Sequence, residues 1–195
     1  MSDAGSDEAV VAVVLDYLPT GRPDDDRPQY QKDPIAYALG VEDFRLYELV
    51  VDEDAHVLVG DRLAVEPAEA REEVVDFDYV DVAGLSGAAR SELEYAVNDI
   101  IDEGEQRFVD FYNDAQPITL RLHQLNLLPG IGKKLRNTIL DERKRKPFES
   151  FEELEERVSG LHKPREVLVE RIMEELQEED LKYRIFARRP SQADE

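Results

Sequence analysis

Cysteine and tryptophan are absent from this 195-residue chain, and methionine occurs only twice. The missing thiols exclude disulfide frameworks, cysteine-based zinc sites and cysteine nucleophiles. Positive charge is scarce: 24 Lys and Arg stand against 46 Asp and Glu, a net charge of -22, and only seven of the cations are lysine. Long hydrophobic runs are missing too. The apolar stretch that begins at Ala9 stops at Asp16, well short of a bilayer span, and the segment before it, 1–8, is acidic rather than cationic. A cytoplasmic protein with no membrane partner is expected. The three histidines, His56, His123 and His162, share no ligand spacing, so no metal site is expected. Carboxylates are so abundant that no pair stands out as general acid and base, and the chain reads as non-catalytic.

What is present is enough for a folded core, since 42% of residues are hydrophobic. Many carboxylates, few lysines and modest aromatic content resemble proteins of halophilic organisms, where surplus negative charge solvates the whole proteome. The alternative is an acidic protein that binds basic partners or mimics nucleic acid.

Residues 9–18 (AVVAVVLDYL) are rich in β-branched side chains and end at Pro19-Thr20-Gly21, which predicts a strand running into a turn. The Pro- and Asp-rich stretch 22–34 predicts an exposed loop, functional or disordered. Short strands are expected at 35–39, 44–51, 57–59, 62–65 and 74–82, separated by Gly40, Asp52-Glu53-Asp54 and Gly60-Asp61. Such spacing suggests a small barrel of the OB type, and the turn Gly60-Asp61-Arg62 resembles that of barrels related to ribosomal protein S1. If Tyr17, Tyr30, Tyr37 and Tyr47 shared one barrel face they would stack bases; the alternative is that they fill the core.

From Ser86, a candidate cap, the period becomes helical through Leu93, Val97, Ile100 and Phe108, and Thr119 predicts the cap of a short helix over 120–127. Leu125-Asn-Leu-Leu-Pro-Gly-Ile-Gly-Lys-Lys134 then closes that helix, turns through Pro129-Gly130-Ile131-Gly132 and opens another. This resembles the helix-hairpin-helix motif. Two glycines let the backbone approach a ligand, Ile131 anchors the turn, and the helix N-terminus offers unpaired N–H groups to an anion such as phosphate. From Arg121 to Pro147, eight cations face only Asp141 and Glu142, a local +6 that leaves -28 for the rest of the chain. The candidate nucleic-acid-binding residues are Gly130, Ile131, Gly132, Lys133, Lys134, Arg136, Arg143, Lys144, Arg145 and Lys146. For 143–146 the competing reading is a helix C-terminus decorated with cations.

Ser150-Phe-Glu-Glu153 predicts a capping box, and Ser159-Gly160-Leu161-His162-Lys163-Pro164 opens a further helix thirty residues after the first turn. The pair resembles a tandem helix-hairpin-helix domain. His162 stands where the second glycine belongs, so this turn is expected to support the first rather than grip phosphate. Residues 182–187 (KYRIFA) predict a strand returning to the barrel, with a basic tail as the alternative.

Lys133–Leu154 together with Asp16-Tyr-Leu-Pro-Thr-Gly21 and Tyr183-Arg-Ile-Phe186 resemble an archaeal family catalogued as domain of unknown function 655. That resemblance implies archaeal origin, a barrel followed by helix-hairpin-helix elements, and RNA or other nucleic-acid binding. Resemblance to the hairpin motif also suggests a monovalent cation at the carbonyls of Leu128 and Ile131; no other cofactor is expected.

The expected organisation is α+β: an acidic disordered tail (1–8), an OB-like β-barrel (9–83), linking helices (84–117), a tandem helix-hairpin-helix domain (118–181), and a C-terminal strand and tail (182–195). The expected function is non-catalytic nucleic-acid binding. RNA is slightly favoured, with ribosomal RNA, the ribosome or another protein complex as the setting. The alternatives are a duplex-DNA-binding protein of DNA maintenance, a base-excision glycosylase and a protein-docking module.

Overall fold

The structure, a computed structural model, describes residues 8–189. The tail expected at 1–8 and the tail after Arg189 therefore lie, but for Glu8, outside the described residues. Two compact units emerge: residues up to Ala96 together with the segment from Phe186, and Val97–Ile185.

In the first unit, β-branched alternation produces five strands: β1 (Val10–Leu18), β2 (Ile35–Gly40), β3 (Leu46–Val51), β4 (Arg62–Glu66) and β5 (Val74–Val80). They form one sheet in the order β4-β1-β2-β3-β5, every pairing antiparallel, with Val13 opposite Leu39, Ala38 opposite Tyr47 and Leu49 opposite Phe77. Bulges between Val14 and Asp16 and between Val50 and Val51 increase the twist and curl the sheet into an OB-like half-barrel. Its concave face buries Ala12, Val14, Ala38, Leu49, Leu63 and Val65 around Tyr47.

β4 and β5 lie at opposite edges, and because each runs against its own partner they point the same way. Arg71 spans them. Its Nε donates to the Val65 carbonyl at 2.6 Å and its Nη1 to the Val75 carbonyl at 3.2 Å, while the guanidinium lies 5.5 Å from the Phe77 ring centre. Helix α1 (Gly87–Glu103) starts where expected: Ser86 Oγ accepts from Ala89 N at 3.1 Å and donates to Asp16 Oδ2 at 2.6 Å.

Residues 57–59 form no strand. Asp61 Oδ2 accepts from Leu58 N at 2.9 Å and Asp61 N donates to the Leu58 carbonyl at 3.1 Å, so these residues wrap a turn ending at Gly60 with φ +90°. Nor does 182–187. Within it, Ile185 N donates to Glu175 Oε1 at 2.8 Å and the Arg184 guanidinium reaches the Glu175 and Glu178 carbonyls, while the chain from Phe186 belongs to the first unit.

The second unit contains the end of α1, α2 (Glu105–Asp114), α3 (Lys133–Arg145), α4 (Phe151–Arg157) and α5 (Pro164–Gln177). Phe108, Tyr112, Ile139, Phe148, Leu154 and Leu168 are fully buried. Tyr112 donates its hydroxyl to the Pro164 carbonyl at 2.8 Å, and Asn113 exchanges two hydrogen bonds with the Phe148 backbone. The α5 stripe carries a buried ion pair that apolar periodicity conceals. Arg171 Nε donates to Glu175 Oε2 at 2.9 Å and its Nη groups reach the Leu127 and Tyr183 carbonyls.

The helix expected over 120–127 is shorter. Thr119 Oγ1 accepts from Arg121 N and Leu122 N, closing a tight turn that leaves Leu120 fully exposed; only a 3-10 turn, Gln124–Leu127, follows.

Candidate nucleic-acid interface

The most informative segment folds into two turns of the same geometry. In the first, Ile131 N donates to the Leu128 carbonyl and Gly130 takes φ +78°; in the second, Leu161 N donates to the Val158 carbonyl and Gly160 takes φ +92°. Both bonds measure 3.2 Å, and both central side chains, Ile131 and Leu161, are buried. Only a residue without Cβ tolerates that φ readily, which explains one glycine in each turn.

Gly132 is different. Its φ of -91° is open to any residue, and a Cβ built there meets nothing within 4 Å. Neither conformation nor packing accounts for the missing side chain, while its absence leaves the mouth of α3 open. Gly132 caps α3 without any side-chain hydrogen bond, and the first helical bond runs from Arg136 N to the Gly132 carbonyl at 3.0 Å. The N–H groups of Lys133, Lys134 and Leu135 therefore have no intrahelical acceptor. No acid neutralises this end, and the exposed lysines at its first two positions oppose the helix dipole. The second turn also has no side-chain cap, but Lys163 caps α5 in the left-handed region, Pro164 at the first position has no N–H, and Glu166 places a carboxylate in the first turn.

The ten candidate residues separate into two groups. Gly130, Ile131, Gly132, Lys133 and Lys134 cluster at the turn, with Arg136 just behind. Arg136 is half-buried and donates Nη1 to Asn126 Oδ1 at 3.0 Å. The others sit at the far end of α3, roughly 18 Å away at 1.5 Å per residue. Arg143 turns inward. Its Nη1 donates to the Tyr112 and Ala115 carbonyls at 3.2 and 3.0 Å, closing the C-terminus of α2, and burial lowers its pKa. Arg145 pairs with Glu142 at 3.2 Å and Lys146 with Glu149 at 3.7 Å, both on the surface, where Lys144 is also exposed. Charge counting finds these residues, but it cannot tell which of them the fold uses internally.

Sequence reading missed Asn126 and Arg157. Asn126 Oδ1 accepts from His123 N and its Nδ2 donates to the Ile131 carbonyl, forming a capping box whose other half is His123 Nδ1 accepting from Leu125 N. The three-residue spacing from His123 to Asn126 was its signal. Burial, and then Arg143 and Arg136, hold His123 below its ordinary pKa, consistent with a neutral accepting ring. Arg157 donates to the Glu142 and Lys146 carbonyls and lies 4.4 Å from the Phe148 ring centre, closing the C-terminus of α3.

The two carbonyls considered for a monovalent cation both accept protein hydrogen bonds already, Leu128 from Ile131 N and Ile131 from Asn126 Nδ2. The four tyrosines do not share a face. Tyr47 lies in the concave core with Tyr17 packed against it, Tyr37 is buried on the opposite face, and Tyr30 is exposed on the loop. Among the described residues no group of three or more His, Asp or Glu side chains is placed to hold a metal ion. No helix there is long and apolar enough to cross a membrane.

Comparison with known proteins places these features in a wider setting. The chain is 37% identical over 180 residues to the uncharacterized protein MJ0038 of Methanocaldococcus jannaschii, covering 91% of this chain and 79% of that one. It is similar in structure to Af1531 from Archaeoglobus fulgidus, with a TM-score of 0.81 and 39% identity, covering 92% of this chain and 99% of that one. Residues 8–188 match the family model described as "Protein of unknown function (DUF655)", and with nearly the whole chain covered, the protein belongs to that archaeal family.

Proposed function

We propose that this protein is a non-catalytic nucleic-acid-binding protein that grips a phosphate backbone at the turn Gly130-Ile131-Gly132 and the N-terminus of α3. One observation carries the reading. An uncapped helix end begins with two lysines that its own dipole disfavours, behind a glycine that neither φ nor packing requires. A phosphate resolves all three anomalies, accepting from the free N–H groups, neutralising Lys133 and Lys134, and approaching over Gly132.

In this reading the two turns form a tandem helix-hairpin-helix in which the first binds and the second, with Glu166 at its helix end, buttresses. The exposed cations Lys144, Arg145 and Lys146 lie too far along α3 for the same phosphate and would meet another point on the strand. Structured RNA is favoured over duplex DNA because OB-like scaffolds recur in RNA recognition. The acidic remainder of the surface orients the polyanion toward the turn and suits a salt-rich cytoplasm. Duplex DNA of a maintenance pathway and a protein-docking role are the alternatives.

Fluorescence anisotropy with a structured RNA and a duplex DNA across a KCl series tests the proposal. The wild type should bind the RNA more tightly, Gly130→Asp should weaken binding at least tenfold, and Lys133→Glu with Lys134→Glu should flatten the salt slope by about 2. Absence of binding to either polymer, or equal binding by all variants, overturns it.

A further inference from the structure

The first unit holds two adjoining cavities of about 430 and 510 Å³ that share Arg22, Asp24 and Glu48. Their floor is the face of β2 and β3 that carries Ile35, Tyr37, Glu48 and Val50; one wall is the loop after β1 and the other is the segment from Val80 to Gly87. The loop is braced. Gly21 takes φ +76° against Lys32, Lys32 Nζ donates to the Arg22 carbonyl at 3.2 Å, and Arg22 Nη2 donates to Glu48 Oε1.

Both arginines of the cleft are already paired, Arg22 with Glu48 and Arg27 with Asp25. The carboxylates of Asp24 and Asp33 remain, so the cleft is net negative and unsuited to phosphate. Deeper in, Tyr37 is only 5% exposed and its hydroxyl makes no hydrogen bond to any described residue; Glu48, 7% exposed, has Oε1 engaged and Oε2 without a donor. Neither oxygen is sealed from solvent, so both can be reached from the cleft. Two acceptors facing one cavity, with free carboxylates at its mouth, suit a donor-rich cation. Leu18, Val80 and Leu85 line the same space with apolar surface. A bare metal ion would leave that surface unused.

We propose that this cleft binds an alkylammonium, a primary amine on an apolar stem, whose N–H groups donate to Glu48 Oε2, the Tyr37 hydroxyl and Asp24 while the stem lies along Leu18, Val80 and Leu85. The cation is supplied by a free diamine or by a lysine side chain of a partner protein. This site is separate from the turn at Gly130 and does not depend on nucleic-acid binding.

A protein of net charge -22 attracts any cation diffusely, so the test must separate a site from an atmosphere. Isothermal titration of the full chain in high KCl would use 1,4-diaminobutane, Nα-acetyl-lysine methylamide and, as neutral control, butane-1,4-diol. One amine should bind one-to-one and the diol should not. Tyr37→Phe should weaken the amine about tenfold and Asp24→Asn several-fold, with unchanged circular dichroism, while Gly130→Asp should bind as wild type. Preference for the diamine assigns a free ligand, and preference for the lysine amide assigns a protein partner. Absence of saturable binding, or equal binding by Tyr37→Phe and Asp24→Asn, overturns the proposal.

Discussion

Asn126 and Ile131 are joined across the glycine turn, Asn126 Nδ2 donating to the Ile131 carbonyl at 3.2 Å. Its Oδ1 meanwhile accepts from His123 N and Arg136 Nη1, so one amide fastens the 3-10 turn, the glycine turn and the first turn of α3 together. The carbonyl side of the turn is thereby tied to the protein, while the first N–H groups of α3 have no intrahelical acceptor. Asn126→Ala should lower the stability of the fold by about 1–3 kcal/mol in urea denaturation, since three hydrogen bonds are lost around half-buried groups. An unchanged midpoint would mean that water replaces the amide at no cost.

The two glycines of the turn should behave differently. Gly130→Ala forces a Cβ into the left-handed region and should cost about 1–2 kcal/mol. Gly132→Ala should cost less than about 1 kcal/mol, the loss of a glycine N-cap, because its φ is ordinary and the space is open. If a phosphate strand lies over the turn, Gly132→Ala should nonetheless weaken nucleic-acid binding. Thermal melts and anisotropy on the same pair of variants check both outcomes.

Arg71 ties the Val65 and Val75 carbonyls across the open side of the half-barrel. Its replacement by alanine should cost about 1–3 kcal/mol and accelerate hydrogen exchange in β4 and β5 more than in β2. Arg71→Lys should rescue little, because a single ammonium lacks the planar fork that reaches both carbonyls.

His123 supplies a pH signature. Its pKa is lowered from the ordinary 6.5 by burial and by Arg143 and Arg136, so the unfolded chain binds more protons than the folded one below that value. The stabilisation is complete above about pH 6.5 and is lost as pH falls through the lowered folded value. Comparing urea midpoints at pH 7.5 and 5.5 for wild type and His123→Asn isolates it. Asparagine also caps helices but does not titrate, so the variant should show the smaller drop.

The strands and the two glycine turns were legible because they depend on local signals, β-branched runs between Gly and Asp turns and a glycine pair before a cationic helix. Residues 57–59 carried the same apolar signal, but the Asp61 carboxylate captures Leu58 N and makes a turn of them. Thr119 was expected to cap a helix, but its hydroxyl accepts from Arg121 N and Leu122 N and closes a tight turn instead. What could not be read was direction. Arg143 and Lys144 are neighbours of the same charge, and only the packing of α2 against α3 determines that one faces inward. The cleft beneath Arg22 was equally hidden, since it exists only once Gly21 folds the loop back toward Glu48 on a distant strand.

The ion pair of Arg171 and Glu175 sets a limit on how the chain can be dissected. Arg171 holds the carbonyls of Leu127 and Tyr183, and Glu175 holds Ile185 N, so each buried charge is completed by the segment beyond α5. A fragment ending at Lys182 would retain every helix and both glycine turns, yet it would take one hydrogen-bond partner from each member of the buried ion pair. The last stretch of described chain is thus a keystone, and shortening the protein from its C-terminus should dismantle the helical unit before it reaches the first helix.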